Sequence, residues 1–320
     1  MISTRLTGRL GIEAPILCAP MAFATGGRLA AAVTEAGGLG LIGGGYADPA
    51  FVEAEFRSAG NTRVGCGFIT WRLDTDDRAL HAALAHRPAA MMLSFGDPRP
   101  YVAAVREAGA LLICQVQTRA GAVIAAEAGA DIVVAQGSEA GGHGAVRGTM
   151  TLVPEVRDTL GTEMLLLAAG GIADGRGLAA ALALGADGVL MGSRFWASAE
   201  ALSHPRHHAA AIAASGDDTI RQRATDIARG YEWPSQYTAR VLNNAFVSRW
   251  EGRPDEHRAA ASAEREAYGA ALAAGDPEAV GVFVGEAAGL ISDAPTAGEI
   301  VRRTVAEAEA ILRRGPTLVT

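Results

Sequence analysis

The residues best suited to chemistry lie in one short segment, residues 135–144, which reads AQGSEAGGHG. The segment follows the apolar run Ile132-Val133-Val134 and ends with His143 among glycine and alanine neighbours. Glycine lets the backbone come close to a flat ligand, and histidine can move protons near neutral pH. A flexible surface turn with an incidental histidine is the alternative. Because the segment directly follows an apolar run, it favours an active-site loop at the end of a strand.

Two further segments are rich in glycine and could hold a phosphate group. Residues 168–175 read AAGGIADG, and residues 185–194 read GADGVLMGSR. Backbone N–H groups in such loops bind phosphate oxygens where no Cβ stands in the way, and Ser193 could add a hydroxyl donor. Plain tight turns are the alternative for each loop. The two loops together predict a phosphate site.

Three more candidates are a short segment near the N-terminus and two polar residues of the segment 135–144. Residues 19–22 (APMA) combine small side chains with a fixed proline and could bring the backbone against one edge of a ring system. Gln136 offers a donor and an acceptor, as recognition of a heteroaromatic edge requires, although a satisfied structural amide fits equally well. Glu139 could pair with His143 or bind a metal, but no second carboxylate or histidine stands at ligand spacing. We therefore expect no metal site.

The composition excludes several classes of mechanism and partner. All 28 basic residues are arginine, so a lysine Schiff base is impossible. The net charge of −7 argues against a nucleic-acid partner. Cys18, Cys66 and Cys114 are too scattered for a zinc site or a disulfide framework and are expected to be buried thiols. No apolar stretch is long enough to cross a bilayer and the N-terminus lacks a signal pattern, which predicts a cytoplasmic protein.

Eight short apolar runs must position these segments, and alanine-rich stretches of helical pattern lie between them. The runs are residues 15–22, 39–43, 64–70, 90–95, 111–116, 132–136, 165–169 and 189–192. The clearest helical stretches are residues 27–36, 76–85, 100–108, 118–128 and 175–184. Alternating buried strands and helices predict an α/β fold with parallel pairing. Eight units favour a closed (β/α)8 TIM barrel, whose functional groups sit at the C-terminal ends of the strands.

The regular spacing stops after the eighth run. Residues 195 to about 274 are predicted to be predominantly helical and carry three aromatic patches. We expect the barrel to comprise residues 1–194 and about 280–320, with residues 296–314 returning as its last outer helix. Residues 195–279, called the lid segment below, would then cover the substrate. Exposed aromatic side chains on the lid segment would permit a homodimer.

Several of these motifs together resemble the nitronate monooxygenase family, formerly called 2-nitropropane dioxygenases. The resemblance rests on residues 19–22 (APMA), 136–143 (QGSEAGGH), 169–172 (AGGI), 190–193 (LMGS) and 289–293 (GLISD). It covers nearly the whole barrel and the final helix, and the lid segment more loosely. The element EAGGH is its most specific part.

The resemblance implies FMN bound without a covalent bond at the C-terminal face of the barrel. His143 matches the family's catalytic histidine, which would deprotonate a neutral nitroalkane or hydrogen-bond its nitronate. The nitronate would be oxidised with O2 to a carbonyl compound and nitrite. The residues that would bind the cofactor, by motif position, are Pro20, Met21, Ala22, Gly67, Gln136, Gly141, Gly170, Gly171, Leu190, Met191, Gly192 and Ser193.

The chain departs from the family pattern at two places. Gly67 stands where many members carry an asparagine, and residues 285–290 read GEAAGL in place of the usual GQGxGL. Both departures bear on the substrate more than on the flavin. Two alternatives therefore stay open: an NAD(P)H-dependent FMN reductase acting on quinones or enoyl thioesters, and a non-redox barrel that binds a phosphate-bearing ligand.

Overall fold

Eight parallel strands close into a barrel in this computed structural model, which describes residues 2–46 and 48–315. Each barrel strand pairs with the next one along the chain, and the last pairs with the first, with Leu17 opposite Leu190. The barrel strands are β1 Ile16–Cys18, β2 Leu39–Gly45, β3 Gly65–Ile69, β4 Ala90–Ser94, β5 Leu111–Val116, β6 Ile132–Gln136, β8 Leu165–Ala169 and β9 Gly188–Met191. The predicted (β/α)8 fold is confirmed.

Helices surround the barrel and form most of the lid segment. In chain order they are α1 Arg5–Leu10, α2 Gly27–Glu35, α3 Pro49–Ser58, α4 Thr70–Leu73, α5 Arg78–Ala85, α6 Val102–Glu107, α7 Arg119–Glu127, α8 Thr149–Leu160, α9 Gly175–Ala183, α10 Ser193–Trp196, α11 Pro205–Ala213, α12 Ala224–Arg229, α13 Ala245–Trp250, α14 Pro254–Ala259, α15 Ala261–Ala274 and α16 Ala297–Arg314. None of the helices in the described residues is long and apolar enough to span a membrane.

Alternation along each strand builds two separate apolar layers. In β9, Leu190 packs with Leu17 and Leu167 inside the barrel, whereas Val189 and Met191 pack between the strands and the outer helices. Successive strand residues point to opposite faces, which explains the split. The barrel interior is therefore filled by side chains, and barrels of this kind bind their ligands beyond the C-terminal strand ends.

The last helix closes the outer ring, as predicted from its periodicity. Helix α16 packs between α9 and α2. The contact with α9 is close, because a Cβ on Gly175 would stand 2.4 Å from the backbone nitrogen of Ala308. The Gly175 N–H also donates to the Glu307 carboxylate at 2.8 Å. Residues beyond 315, which the sequence analysis assigned to the barrel, lie outside the described residues.

A small second sheet was not predicted, and it connects the lid segment to the barrel. Strands β10 Thr219–Gln222 and β11 Thr238–Leu242 pair antiparallel, and β11 also pairs with β7 Gly142–Gly144. In this sheet Ala239 lies opposite His143. The five lid helices α11 to α15 agree with the predicted helical character. The sheet fixes the histidine-bearing loop from the lid side.

Candidate functional site

A cavity of about 860 Å³ opens at the C-terminal ends of the barrel strands. It gathers nearly all of the residues that the sequence analysis assigned to the cofactor or to catalysis. Those that line it are Pro20, Met21, Ala22, Gly67, Gln136, Gly141, His143, Gly170, Gly171, Leu190, Gly192 and Ser193. Met191 does not, because it is 1% exposed and points outward from β9 into the packing against the helices. The Met191 side chain is therefore directed away from the cavity, and a contact between the Met191 backbone and the cofactor stays a prediction.

His143 is held by two partners that come from the lid segment. Its Nε2 lies 3.0 Å from both carboxylate oxygens of Asp226, and the two side chains are 8% and 4% exposed. Its ring stacks on Trp233 with the centroids 3.5 Å apart and the planes within 6°. Stacking fixes the ring plane, and the carboxylate fixes which nitrogen faces it. The remaining nitrogen, Nδ1, makes no hydrogen bond within the described residues and is not fully buried.

Burial and the neighbouring charged groups all shift the pKa of His143. Burial lowers the pKa of His143, the Asp226 carboxylate raises it, and the Arg229 and Arg221 guanidinium groups lower it further. The net pKa lies below the usual value for histidine. An imidazole of lowered pKa is neutral at pH 7, which is the form that can accept a proton.

Asp226 and Trp233 were both missed as functional residues by the sequence analysis. Asp226 is 83 residues from His143 in the chain and lies in the first turn of α12. Trp233 falls in an aromatic patch that the sequence analysis noted only as part of the lid segment. The Trp233 indole N–H donates to the Tyr46 hydroxyl at 2.6 Å, which ties it to the end of β2.

Gln136 lies at the site, but most of its amide is engaged by protein groups. Its Oε1 accepts from the side-chain amides of Gln115 and Gln117 at 3.1 and 2.9 Å. Its Nε2 donates to the backbone carbonyl of His143 at 3.1 Å. The second hydrogen on Nε2 of Gln136 has no acceptor among the described residues, and the edge of the side chain that faces the cavity is free to contact a ligand. Gln136 thus has a structural role, because it supports β7, the strand that carries His143.

Glu139 neither pairs with His143 nor contributes to a metal site. Its carboxylate accepts the backbone N–H of Thr149 at 2.9 Å and the Thr149 hydroxyl at 3.0 Å, at the N-terminus of α8. A carboxylate is favourable there because the first N–H groups of a helix have no intrahelical acceptor. Across residues 2–46 and 48–315, no group of three or more His, Cys, Asp or Glu side chains could hold a metal ion.

The glycine loops after β8 and β9 present free backbone donors to the cavity. Gly170 and Gly171 have φ angles of 99° and 74°, a region that favours glycine. Within the described residues, no acceptor takes the N–H of either glycine. The loop is anchored from behind, since the Thr149 hydroxyl contacts the Gly170 carbonyl at 3.0 Å. The Ser193 Oγ accepts the N–H of Gly285 at 2.9 Å, so its own proton is still available.

The two departures from the family pattern have local explanations. A Cβ on Gly67 would stand 2.3 Å from Cγ of Pro20, so an asparagine could not fit unless Pro20 moved. Glu286 pairs with Arg240 at 2.7 Å, and its backbone N–H donates to the Glu139 carbonyl at 2.9 Å. The segment around Glu286 therefore braces the loop that carries His143.

The three cysteines are free and buried, as expected. Burial raises the pKa of Cys18, Cys66 and Cys114 to about 12 in each case. Thiols of such high pKa are protonated at neutral pH and are poor nucleophiles. They contribute packing and not chemistry.

Comparison with known proteins gives family matches along most of the chain. The family model described as nitronate monooxygenase matches residues 3–64 and 58–307. The nitronate monooxygenase npaC of Metarhizium robertsii is 37% identical over 93% of this chain and 91% of its own length, and the nitronate monooxygenase of Neurospora crassa is 32% identical over 93% and 90%.

Solved structures share the fold over nearly the whole chain. FabK from Thermotoga maritima superposes with a TM-score of 0.88 at 32% identity and covers the full length of both chains. A nitroalkane oxidase from Streptomyces ansochromogenes gives a TM-score of 0.79 at 27% identity, over 96% of this chain and 99% of its own. The chain therefore belongs to the nitronate monooxygenase family, which consists of flavin-dependent oxidoreductases.

Proposed function

We propose that the protein binds FMN and oxidises alkyl nitronates with O2 to a carbonyl compound and nitrite, with His143 as the base for neutral nitroalkanes. The observation that carries this proposal is that His143, held by Asp226, faces the same cavity as the glycine loops after β8 and β9. One wall thus offers a proton acceptor and the other offers donors for a phosphate. The lid segment serves as the substrate-covering unit.

The residues present fit FMN. A volume of about 860 Å³ lies within the range of small-molecule and cofactor sites. The free N–H groups of Gly170 and Gly171, with the Ser193 hydroxyl, would hold the single phosphate of a mononucleotide. The backbone at Pro20–Ala22 and the free edge of Gln136 would contact the ring system. When bound, FMN supplies the redox chemistry.

The protein's own contribution to the reaction is proton transfer at a fixed nitrogen. In its ionised form the Asp226 carboxylate only accepts hydrogen bonds, so it holds a proton on Nε2 of His143. The lone pair is then on Nδ1, which is accessible and can take the proton on the carbon that bears the nitro group. Asp226 next stabilises the imidazolium that forms. A substrate supplied as the nitronate does not need this step.

Aromatic side chains around Trp233 keep water away from the proton transfer. Trp233 is 6% exposed, and the rings of Trp71, Phe95 and Tyr237 meet it edge-on with centroids between 5.0 and 6.1 Å away. A dry, apolar wall strengthens the interaction between His143 and Asp226. It also protects a reactive carbanion from reprotonation by solvent.

Enlarging Gly192 tests the cofactor position without straining the backbone. Its φ is −102°, and an added Cβ would meet only Met21 Sδ at 3.6 Å and Ala19 Cβ at 3.8 Å. We expect Gly192→Val to weaken FMN binding about tenfold or more, because overpacking costs about 1–3 kcal/mol. Flavin titration of the apoprotein measures this. Gly171 is a poorer probe, since its positive φ would strain any replacement.

The control for this test is Gly8→Ala in α1, where an added Cβ meets no atom within 4 Å. Both variants should melt near the wild-type temperature without flavin. FMN affinity that stays at the wild-type level in Gly192→Val would remove this loop from the cofactor site.

Oxygen uptake and nitrite release with alkyl nitronates test the proposed function, after the visible spectrum has shown whether the purified protein is yellow. We expect a flavin spectrum and stoichiometric nitrite. Rapid reduction of the flavin by NAD(P)H, with quinone turnover and no nitronate oxidation, would replace the proposal by a flavin reductase. A protein that stays colourless with added FMN would favour the non-redox, phosphate-binding barrel.

A further inference from the structure

Tyr46 brings a hydroxyl with an unused proton to the wall of the cavity. It directly follows β2, and its hydroxyl accepts the indole N–H of Trp233 at 2.6 Å. Among residues 2–46 and 48–315, no acceptor takes the proton of that hydroxyl. Tyr46 and Trp233 both line the cavity. Because a phenol can accept and donate at the same time, the hydroxyl can still donate one hydrogen bond to a ligand.

The ring of Tyr46 is held by its neighbours, which fixes the position of the hydroxyl. It stacks on Tyr231 with the centroids 4.0 Å apart and the planes within 3°. Phe23 lies nearly parallel to it at 6.0 Å, and Cζ of Arg229 is 5.2 Å from the ring centre. The indole of Trp233 holds the hydroxyl itself. A donor fixed in advance in this way needs no reorganisation when negative charge develops in front of it.

The hydroxyl of Tyr46 remains protonated at neutral pH. Burial raises the pKa of Tyr46 well above the usual value for tyrosine, and the charge of Asp226 raises it as well. The Arg229 guanidinium and the hydrogen bond from Trp233 lower this pKa by less. Donation from the indole also polarises the phenol, which strengthens the hydrogen bond that the phenol can donate. Tyr46 is therefore a hydrogen-bond donor and not a base.

Trp233 connects this donor to His143. One face of the indole stacks on the His143 ring with the centroids 3.5 Å apart, and the N–H edge of the indole bonds to the Tyr46 hydroxyl. A proton acceptor and a hydrogen-bond donor thus contact the same rigid ring and line the same cavity. Deprotonation of a nitroalkane needs both kinds of group, because the negative charge that leaves the carbon accumulates on the nitro oxygens.

We propose that Tyr46 is a further catalytic residue, whose hydroxyl donates a hydrogen bond to a nitro oxygen of the substrate. This inference rests on the proposed nitronate oxidation. In the step, the C–H bond beside the nitro group breaks and its proton passes to Nδ1 of His143. The electron pair of that bond forms a C=N double bond, and one N=O π pair moves onto the oxygen that Tyr46 contacts. The hydrogen bond becomes stronger as this charge develops, since charged acceptors form the stronger hydrogen bonds.

Replacing Tyr46 with phenylalanine removes the hydroxyl and keeps the stacked ring. With neutral nitroethane we expect kcat to fall about 10- to 100-fold with little change in KM, because a hydrogen bond to a charge that develops only in the transition state is lost. With ethyl nitronate we expect KM to rise about tenfold and kcat to change less than about threefold, because the anion already makes this bond when it binds. Oxygen uptake by the FMN-loaded enzyme gives all of these values.

Two matched variants separate donation to the substrate from support of Trp233. Tyr101→Phe makes the same change in a tyrosine that lies outside the cavity wall and donates to Asp74 at 2.8 Å, so both substrates should be turned over as by the wild-type enzyme. Trp233→Phe breaks the same hydrogen bond from the indole side and keeps the Tyr46 hydroxyl, so KM for ethyl nitronate should rise less than in Tyr46→Phe. Flavin content and melting temperature verify that each variant is folded.

Binding of propionate gives a measurement that does not depend on turnover. Propionate has the chain length and the charge of ethyl nitronate, with a planar carboxylate in place of the planar nitronate group. Calorimetry with the FMN-loaded proteins should show that propionate binds Tyr46→Phe about tenfold more weakly than it binds the wild-type protein, because one hydrogen bond to a charged group is lost.

Failure of the donor role and failure of the proposed function give different results. Equal losses of kcat on nitroethane and ethyl nitronate, with KM unchanged, would show that Tyr46 only supports Trp233 and would overturn the donor role. An equal rise in KM for ethyl nitronate in Trp233→Phe, or wild-type values in Tyr46→Phe, would overturn it as well. A wild-type enzyme that does not oxidise ethyl nitronate would overturn the proposed function, and propionate binding would then still decide whether Tyr46 contacts a planar anion.

Discussion

Replacing His143 with alanine is expected to lower kcat/KM for neutral nitroalkanes by about 10²–10⁴-fold, the usual cost of losing a general base. Preformed nitronates should lose far less, because they no longer need the proton transfer for which Nδ1 is positioned. Oxygen uptake measured with the same nitroalkane, before and after conversion to its nitronate, gives both numbers in one experiment.

His81→Ala provides a matched control for this substitution. The His81 side chain is 59% exposed on α5 and lies outside the cavity wall, so both activities should stay at the wild-type level. Flavin content should be unchanged in both variants. Added imidazole should restore part of the nitroalkane activity of His143→Ala, since the deleted ring leaves space against Trp233. Losses of equal size on nitroalkane and nitronate would show that His143 does not act as the base.

Asp226→Asn is expected to cost about 10²-fold or more on neutral nitroalkanes, although the substituted group never touches the substrate. An amide can donate to Nε2, which lets the proton move to Nδ1 and blocks the nitrogen that faces the cavity. The pH dependence of kcat/KM gives a second test of the role of Asp226. Asp226 raises the pKa of His143, so its removal lowers that pKa further. Activity is lost as pH falls through this pKa, and the acid limb of kcat/KM should therefore move to lower pH.

Asp217→Asn controls for the loss of one negative charge from the lid segment, because Asp217 is exposed and lies outside the cavity wall. It should leave both the rate and the acid limb unchanged. A purely structural role for Asp226 would lower nitroalkane and nitronate activity together and would not displace the limb. An acid limb that moves to higher pH in Asp226→Asn would contradict the charge arrangement described for His143.

Much of the fold was predictable because strand positions and helix caps depend on residues that are neighbours in the sequence. The strands β4 to β6 and β8 begin where their apolar runs begin, and Thr118 and Asp174 cap α7 and α9 with their own side chains. The first strand is shorter than predicted and ends at Cys18, before Pro20, which has no N–H to donate to a ladder. Helices α3 and α8 agree with the predicted alternation of strands and helices, although no range for either was predicted.

Residue type alone left the roles of the polar candidates open. Gln136 and Glu139 have the chemistry of ligand-binding groups, but their partners in the fold are Gln115, Gln117 and Thr149. Met191 lies in a motif that resembles a cofactor-binding segment, yet strand alternation turns it away from the cavity. The side chains that a polar group meets depend on where distant strands and helices end.

By itself the sequence determined the barrel, the glycine loops and the place of His143 in the segment that follows β6. The periodicity of apolar residues and the spacing of glycines involve residues close together in the chain, so both can be recognised in the sequence. Only the tertiary structure brought Asp226, Trp233 and Arg229 to the site. Strands β10 and β11 are short and each carries one arginine, Arg221 opposite Arg240, so their stability comes from pairing with each other and, through β11, with β7. Such long-range pairing, and the chemistry that it assembles around His143, has no local signal.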